Sequence, residues 1–158
     1  MEARYAGPSP IERLREVIDF AIQREQEAAD FYNDVARKVQ SKSIADELRK
    51  LATVEVGHKE RLQKMNLAEA ADGAPKQVLD LKIADYVVEA MPTTSMTWQD
   101  VVNVGMHREL ASVQLYTDLA AKVADPRAKL LFEKLAAEEA NHKLFFERIW
   151  DEEILMWN

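Results

Sequence analysis

Eight residues that can bind metal ions or donate protons recur in the two halves of the chain at one constant spacing. They are Glu25, Tyr32, Glu55 and His58 in the first half, and Glu109, Tyr116, Glu139 and His142 in the second. The offset is 84 positions for all four pairs. If the segments are helical, this is the ligand set of a dimetal-carboxylate centre, in which two helices give one Glu each and two give a Glu-x-x-His. The pattern therefore predicts a redox metalloprotein.

The four glutamates fall at positions where a helix would otherwise place apolar side chains. Residues at helical spacing around the first of them form one stripe, which is Ile18, Ile22, Glu25, Ala29 and Tyr32. Glu109 lies in the same way between Val102 and Tyr116, and each Glu-x-x-His interrupts a stripe of its own. Because a buried carboxylate without a partner costs several kcal/mol, four inward-facing glutamates require a compensating positive charge. Two divalent cations would supply it.

A single Glu-x-x-His is weak evidence in a helical chain rich in Glu, because it arises easily by chance. Here the motif occurs twice, each time 30 residues after a glutamate that interrupts an apolar stripe. A spacing of three puts the Glu and His of one motif on the same helix face, where one ion can bind both. Nitrogen and oxygen ligands at this count suit iron or manganese, and zinc or cobalt could also bind. The predicted metal ligands are Glu25, Glu55, His58, Glu109, Glu139 and His142.

The two tyrosines lie two helical turns after the glutamates that begin each half. Tyr32 and Tyr116 are thus candidate catalytic residues, either as hydrogen-bond donors to a ligating carboxylate or as redox-active side chains. The alternative is that each is a core tyrosine whose hydroxyl needs one partner. One residue can do both.

Four predicted helices carry these residues, and capping signals mark their starts. The expected N-caps are Ser9, Ser41, Thr97 and Asp125. Ser9 is followed by Pro10 and Glu12, which fit the first helical turn and a capping box. Two of the caps, Ser41 and Asp125, share the offset of 84 with the ligands. The chain is therefore predicted to be all-α.

The lengths of the connections predict how the helices are arranged. Short turns join the first helix to the second and the third to the fourth, which makes each pair antiparallel. Residues 66–96 form one long crossover, in which residues 81–91 are expected to be a short helix or an extended arm. We predict one domain over residues 1–158, an antiparallel four-helix bundle of the ferritin-like type with internal repeats at about 10–65 and 97–150.

Composition and charge exclude several classes of function. The 158 residues include no Cys, which excludes disulfides, iron–sulfur sites, zinc–thiolate sites and thiol nucleophiles. A net charge of −7 argues against nucleic acid or an anionic membrane as a partner. The sequence shows neither a signal peptide nor an apolar run of membrane-spanning length, so a cytoplasmic location is expected.

Residues 150–158 are predicted to pack on the helices, with a homodimer contact as the alternative.

Other polar residues are predicted to serve no role at the site. His107 should face outward. Arg24 and Arg108 each precede a ligand and are either outward charges or partners of the ligating side chains, and the outward orientation is preferred. Four acidic residues fit solvated helix faces, and they are Glu27, Asp30, Glu60 and Glu138. Gly57 is unfavourable in a helix and indicates either a close helix approach or room for a small ligand.

These motifs resemble the rubrerythrin branch of the ferritin-like superfamily over nearly the whole chain. The resemblance is carried by the two Glu-x6-Tyr motifs, the two Glu-x-x-His motifs and the segment LKIADY at residues 81–86. It implies a non-haem diiron centre that reacts with hydrogen peroxide or dioxygen, as typical rubrerythrins do in reducing peroxide to water. It also implies that the six predicted ligands hold the iron, with Glu55 and Glu139 as the bridging carboxylates.

The sequence departs from that family pattern at two points. Typical members draw electrons from a rubredoxin-like iron site held by four Cys, which this chain lacks, so the electron donor must be a separate protein. They also carry an extra Glu one turn after the third-helix ligand, where this chain has Ser112. A bacterioferritin-like protein is less well supported, because Val56 and Ala140 stand where its haem-binding Met is expected.

Three functions remain open from the sequence. The first is a diiron oxidoreductase that reacts with peroxide or dioxygen, and the second is a ferroxidase that stores or transfers iron. The third is a non-catalytic helical scaffold with a structural or vestigial metal, which would serve in dimerisation.

Overall fold

The computed structural model describes residues 7–73, 81–88 and 96–154, and these residues contain helices and connections but no strand. Within these ranges five α-helices follow one another, and they are α1 (Pro10–Lys38), α2 (Lys42–Gln63), α3 (Leu67–Ala71), α4 (Trp98–Lys122) and α5 (Pro126–Ile149). The all-α prediction is thereby confirmed. No helix in the described ranges has the length and apolar character needed to cross a membrane.

All four predicted N-caps are present. The Ser9 hydroxyl accepts the Glu12 N–H at 3.3 Å, and the Glu12 carboxylate accepts the Ser9 N–H at 2.7 Å. Thr97 and Asp100 form the same reciprocal pair at the start of α4. Single caps start the other two long helices, at Ser41 for α2 and at Asp125 for α5. Each cap satisfies a backbone N–H that the helix itself leaves unpaired, which fixes where the helix begins.

The four long helices pack as two hairpins. α1 packs along α2 and α4 along α5, and each pair is joined by a connection of three residues, which makes its helices antiparallel. The predicted crossover contains α3, which packs on α1, and a one-turn 3₁₀ helix at Ile83–Tyr86, which packs on α4. Tyr86 is buried there and donates a hydrogen bond to Asp118 Oδ2 at 2.5 Å. Residues 89–91 of the predicted arm lie outside the described residues.

The core consists of two apolar clusters with a charged layer between them. Apolar cluster 1 joins the start of α1, the end of α2, the end of α4 and the start of α5. Apolar cluster 2 joins the opposite ends of the same helices. Each long helix therefore passes through both clusters. The residues between them are buried and ionisable, and we call them the central polar layer, which consists of Glu25, Glu55, His58, Glu109, Glu139 and His142.

The chain continues past α5 as a π-helical turn, Trp150–Ile154. Ile154 is buried in apolar cluster 2, and the indole N–H of Trp98 donates to Glu153 Oε2 at 3.1 Å. The described part of the tail thus packs on the helices, as predicted, whereas residues 155–158 lie outside the described residues.

Two glycines inside helices have different surroundings. A Cβ at Gly105 would lie 2.7 Å from the Phe146 ring, so glycine permits the close approach of α4 and α5. A Cβ at Gly57 would meet open space. The close approach considered for Gly57 is therefore wrong, and room for a small ligand at that position stays a prediction.

Candidate metal centre

The structure brings all six predicted ligands together in the central polar layer. Five of the residues are at most 2% exposed and His142 is 7% exposed, so none of the charges is well solvated. One glutamate comes from α1 and one from α4, and α2 and α5 each contribute a Glu-x-x-His. Because the flanking turns of every helix are anchored in the apolar clusters, the ligands are held on a rigid frame.

The ligand atoms form two overlapping groups, and within each group they lie within 4.8 Å of one another. One group is Glu25, Glu55, His58 and Glu139, and the other is Glu55, Glu109, Glu139 and His142. Glu55 and Glu139 belong to both groups. Each group therefore has one glutamate and one histidine of its own and shares two carboxylates, which is the arrangement of two adjacent metal positions.

Both imidazoles direct Nδ1 into the layer. His58 Nδ1 lies 2.7 Å from Glu139 Oε1, and His142 Nδ1 lies 2.7 Å from Glu55 Oε1. Each histidine thus contacts the shared carboxylate of the opposite hairpin. The two rings are nearly parallel, with an interplanar angle of 13° and centroids 6.0 Å apart. Their inward nitrogens are the atoms available to a metal.

Each tyrosine forms a hydrogen bond with a glutamate of the other hairpin. Tyr32 of α1 donates its hydroxyl hydrogen bond to Glu109 of α4, and Tyr116 of α4 donates to Glu25 of α1. Burial raises the pKa of both phenols well above the usual range, and the facing carboxylates raise it further. The hydroxyls therefore stay protonated and act as donors. Spacing alone did not predict that each would contact the glutamate of the other half.

Burial favours the protonated, neutral forms of three glutamates in the layer. Burial raises the pKa of Glu55 from 4.5 to about 8, with a further contribution from the charge on Glu25. Burial also raises the pKa values of Glu25 and Glu109. Burial opposes charge on His142, but its hydrogen bonds to carboxylates raise its pKa to about 12. Cations of higher charge would replace these protons.

One observation directly favours a bound cation in the layer. Glu109 Oε2 is buried and has no hydrogen-bond partner among the described residues. An orphaned carboxylate oxygen is costly in a protein interior, and coordination to a cation would remove that cost. The donor set and the orphaned oxygen both fit a pair of divalent metal ions.

Comparison with known proteins agrees with this geometry. The family model described as Rubrerythrin matches residues 16–150. This chain belongs to the rubrerythrin family. A crystal structure of a protein described as a ferritin-like diiron-carboxylate protein from Thermotoga maritima has a TM-score of 0.67 and 22% sequence identity, covering 87% of this chain and 93% of that one. No curated protein matches the chain. The resemblance stated from the motifs is confirmed.

Within this family framework, Glu138 contacts the site in a way that the sequence did not predict. It was expected on a solvated face, yet its Oε2 lies 2.6 Å from His58 Nε2 and 3.0 Å from Arg61 Nη1. Its side chain is 44% exposed, so it is half in solvent and half against the site. The contact crosses from α5 to α2, and no spacing along one helix signals it.

The outward orientation predicted for the two arginines is also wrong. The guanidinium of Arg24 lies 5.1 Å from the Phe20 ring centroid, and that of Arg108 lies 5.2 Å from the Phe31 ring centroid. The Nε atom of each arginine is buried without a hydrogen-bond partner in the described part of the chain. Stacking on an aromatic face holds both side chains against the helices. His107, by contrast, is exposed as predicted.

Proposed function

We propose that this rubrerythrin-family protein is a non-haem diiron oxidoreductase that reduces hydrogen peroxide or dioxygen with electrons from a separate donor protein. The observation that carries the proposal is the pair of ligand groups that share Glu55 and Glu139. Family membership supports it, because the matched region, residues 16–150, contains all six of these side chains. The proposal includes a ferritin-like antiparallel four-helix bundle, with the crossover between α2 and α4.

Each iron position would be held by three glutamates and one histidine. Glu25 and His58 would complete one position, Glu109 and His142 the other, and the shared glutamates would bridge them. Two iron(II) ions bound together would supply the two electrons that reduction of one peroxide requires. The rest of the reaction depends on side chains of the chain itself.

The tyrosines would orient the two glutamates that are not shared. Because Tyr32 donates to Glu109 and Tyr116 to Glu25, one oxygen of each carboxylate is engaged and the other is left for a metal. Their protons are held firmly, since burial raises the pKa of both phenols. The apolar clusters on both sides would exclude bulk water, which protects an oxidised centre from side reactions.

A small cavity beside the layer would be a place for the oxidant. Its volume is about 20 Å³, and its lining includes Arg108, Ser112, Glu109 and Glu139. A single water molecule needs roughly 10–15 Å³ by this measure, so the cavity suits a molecule of about that size. Arg108 would favour a polar or anionic oxidant there. Ser112 stands where the resemblance leads one to expect a further Glu, and its small side chain leaves this space open.

The test is metal content followed by a stoichiometric peroxide pulse. The metal-free chain is loaded anaerobically with iron(II), and near-ultraviolet absorbance of iron(III) is recorded after hydrogen peroxide is added. We expect two irons per chain and oxidation much faster than that of free iron(II). The control is the double variant Glu25→Gln, Glu109→Gln, which keeps the shape of the side chains but removes one charge from each iron position.

This experiment, extended to excess iron(II) and to an added reductant, separates the alternatives. Fewer than one metal per chain, or oxidation no faster than in solution, would favour the non-catalytic scaffold. Oxidation of a large excess of iron(II) into a stored particle would favour the ferroxidase. Repeated peroxide turnover with an added reductant would support the proposed oxidoreductase. The cytoplasmic location and the homodimer stay predictions, and size measurement in solution tests the dimer.

A further inference from the structure

The two candidate metal positions differ in the groups that surround their histidines. His58 Nδ1 points into the layer while its Nε2 lies 2.6 Å from Glu138 Oε2. Glu138 is held in turn by Arg61 Nη1 at 3.0 Å. His142 has the same inward Nδ1, but its Nε2 has no hydrogen-bond partner among the residues that the structure describes.

The internal repeat shows why the second histidine lacks this support. With the offset of 84, Glu138 corresponds to Val54 and Arg61 corresponds to Phe145. Both members of the polar pair are therefore apolar in the related positions. Val54 is 38% exposed, and Phe145 packs edge-on against Phe146 at a centroid distance of 5.1 Å. The two halves of the chain carry the same ligands but differ in the residues that support them.

The groups that contact the glutamates do not distinguish the two positions. Glu25 accepts from Tyr116 and Glu109 accepts from Tyr32, so each position has one tyrosine donor. Both positions share the same two bridging glutamates. Apart from the unpartnered Glu109 Oε2, the difference between the two positions lies in the outer partner of the histidine.

An anionic partner on the outer nitrogen of a ligating histidine has three effects. It keeps the proton on Nε2, so that Nδ1 is free for the metal, and it fixes the ring orientation and increases the basicity of the ligand. Removing such a partner typically costs 10–100-fold in metal affinity. His58 has these advantages before any metal arrives, whereas His142 has only its inward contacts, the shortest of which joins Nδ1 to Glu55 Oε1.

From this asymmetry we infer that the position completed by Glu25 and His58 binds its metal first and more tightly than the position completed by Glu109 and His142. Glu138, anchored by Arg61, is the positioning residue that sets this order. The inference rests on the proposed function only in that both positions bind metal. A chain with a limited supply of metal would hold one ion, on the His58 side.

The test is a titration of the metal-free chain with cobalt(II), followed by calorimetry and by visible absorbance. We expect two binding phases, with affinities that differ by about 10-fold or more. Glu138→Gln should weaken the tighter phase by roughly 10–100-fold and leave the total at two ions. The matched control is Glu60→Gln, the same chemical change at an exposed glutamate of α2, which should leave both phases unchanged.

Two further sets of variants complete the design. His142→Ala should retain the tighter phase and His58→Ala should lose it, which assigns the phases to positions. The double variant Val54→Glu, Phe145→Arg transfers the polar pair to the other half, and we expect it to strengthen the weaker phase. Damage to the fold could weaken metal binding but would not strengthen it, so a gain of affinity would support the inference directly.

The outcomes separate the inference from the proposed function. If two cobalt ions bind with equal affinity and Glu138→Gln changes neither affinity, the inference is overturned but the metal site is preserved. Loss of the tighter phase in His142→Ala would overturn it as well, because the order would be reversed. No cobalt binding by the wild-type chain would count against the metal site itself.

Discussion

The central polar layer and the apolar clusters on either side of it are built from the same four helices, but they contribute to stability in opposite ways. Leu48 and Phe132 are fully buried in the clusters, where removal of apolar surface from water stabilises the fold by about 25 cal/mol per Å². Glu55 and Glu109 are equally buried, yet desolvation of a carboxylate is costly.

This contrast indicates that different turns of each long helix contribute to packing and to metal binding. The two apolar regions of every long helix bury its hydrophobic side chains, and the turns between them carry the ionisable ones. A layer that is unfavourable by itself and favourable with bound cations links metal binding to stability. The predictions below separate these two contributions.

The largest effect is expected from truncation of the apolar clusters. Phe132→Ala removes a fully buried ring from apolar cluster 1 and should lower the free energy of unfolding by about 3–5 kcal/mol. The loss should be the same with and without metal, because the ring is not a ligand. Denaturant unfolding of both forms checks this. The exposed Leu144 offers a control, since Leu144→Ala should have little effect. A loss seen only in the metal-loaded form would contradict the separation of cluster and layer.

A smaller effect with the opposite dependence on metal is expected in the layer. In the double variant Glu25→Gln, Glu109→Gln, the metal-free chain should be as stable as the wild type or more stable, because buried acidic groups become neutral. Metal at 100 times its dissociation constant should stabilise the wild type by about 2.7 kcal/mol and the variant much less. Thermal unfolding with and without chelator measures both quantities. A metal-free variant that unfolds far more readily would show that the glutamates stabilise the fold by themselves.

The helix caps and the candidate ligands can be predicted from the sequence because they depend on local patterns. The caps at Ser9 and Thr97 follow from residues three positions apart, and a ligand such as Glu25 is visible because it interrupts an apolar stripe. The repeat strengthens each signal, because a feature found in one half is supported by the other. The amino-acid sequence alone therefore predicts the helix starts and the six candidate ligands.

The remaining features depend on how one hairpin lies against the other. Tyr32 contacts a glutamate 77 positions away, and Glu138 contacts a histidine 80 positions away. Arg108 stacks on Phe31 of another helix instead of extending into solvent. The relative rotation of the hairpins decides these contacts, and helical periodicity carries no information about it. Arginine and glutamate can be placed on a solvated face by pattern and still reach the core with their long side chains.

A third prediction concerns pH and distinguishes the layer from the clusters, which do not titrate. The pKa of Glu55 is about 8 in the folded chain and 4.5 is its ordinary value, so between these values the metal-free folded state binds more protons than the unfolded state. The stabilisation that comes from tighter proton binding at Glu55 in the folded state is fully present below pH 4.5. It is lost as the pH rises through about 8.

The raised pKa of His142 acts with the same sign at higher pH. Stability of the metal-free chain should thus fall from pH 5 to 8, by at most about 1.4 kcal/mol per pH unit for each proton. The metal-loaded chain should become more stable over the same range, because fewer protons compete for the ligands. Melting temperatures in matched buffers check both slopes. Parallel slopes for the two forms would argue against metal in the layer.

The smallest effect is expected where one side chain belongs to both regions. The ring of Tyr32 packs in apolar cluster 2 and that of Tyr116 in apolar cluster 1, while both hydroxyls donate into the layer. Replacement by Phe keeps the ring and removes only the hydrogen bond, so each variant should lose about 1–3 kcal/mol of stability in the metal-free form. Unfolding of Tyr32→Phe and Tyr116→Phe should give similar losses, because the two bonds are related by the repeat. A loss several times larger in one variant would show that the layer is asymmetric at its tyrosines as well as at its histidines, and would assign part of the difference between the metal positions to that bond.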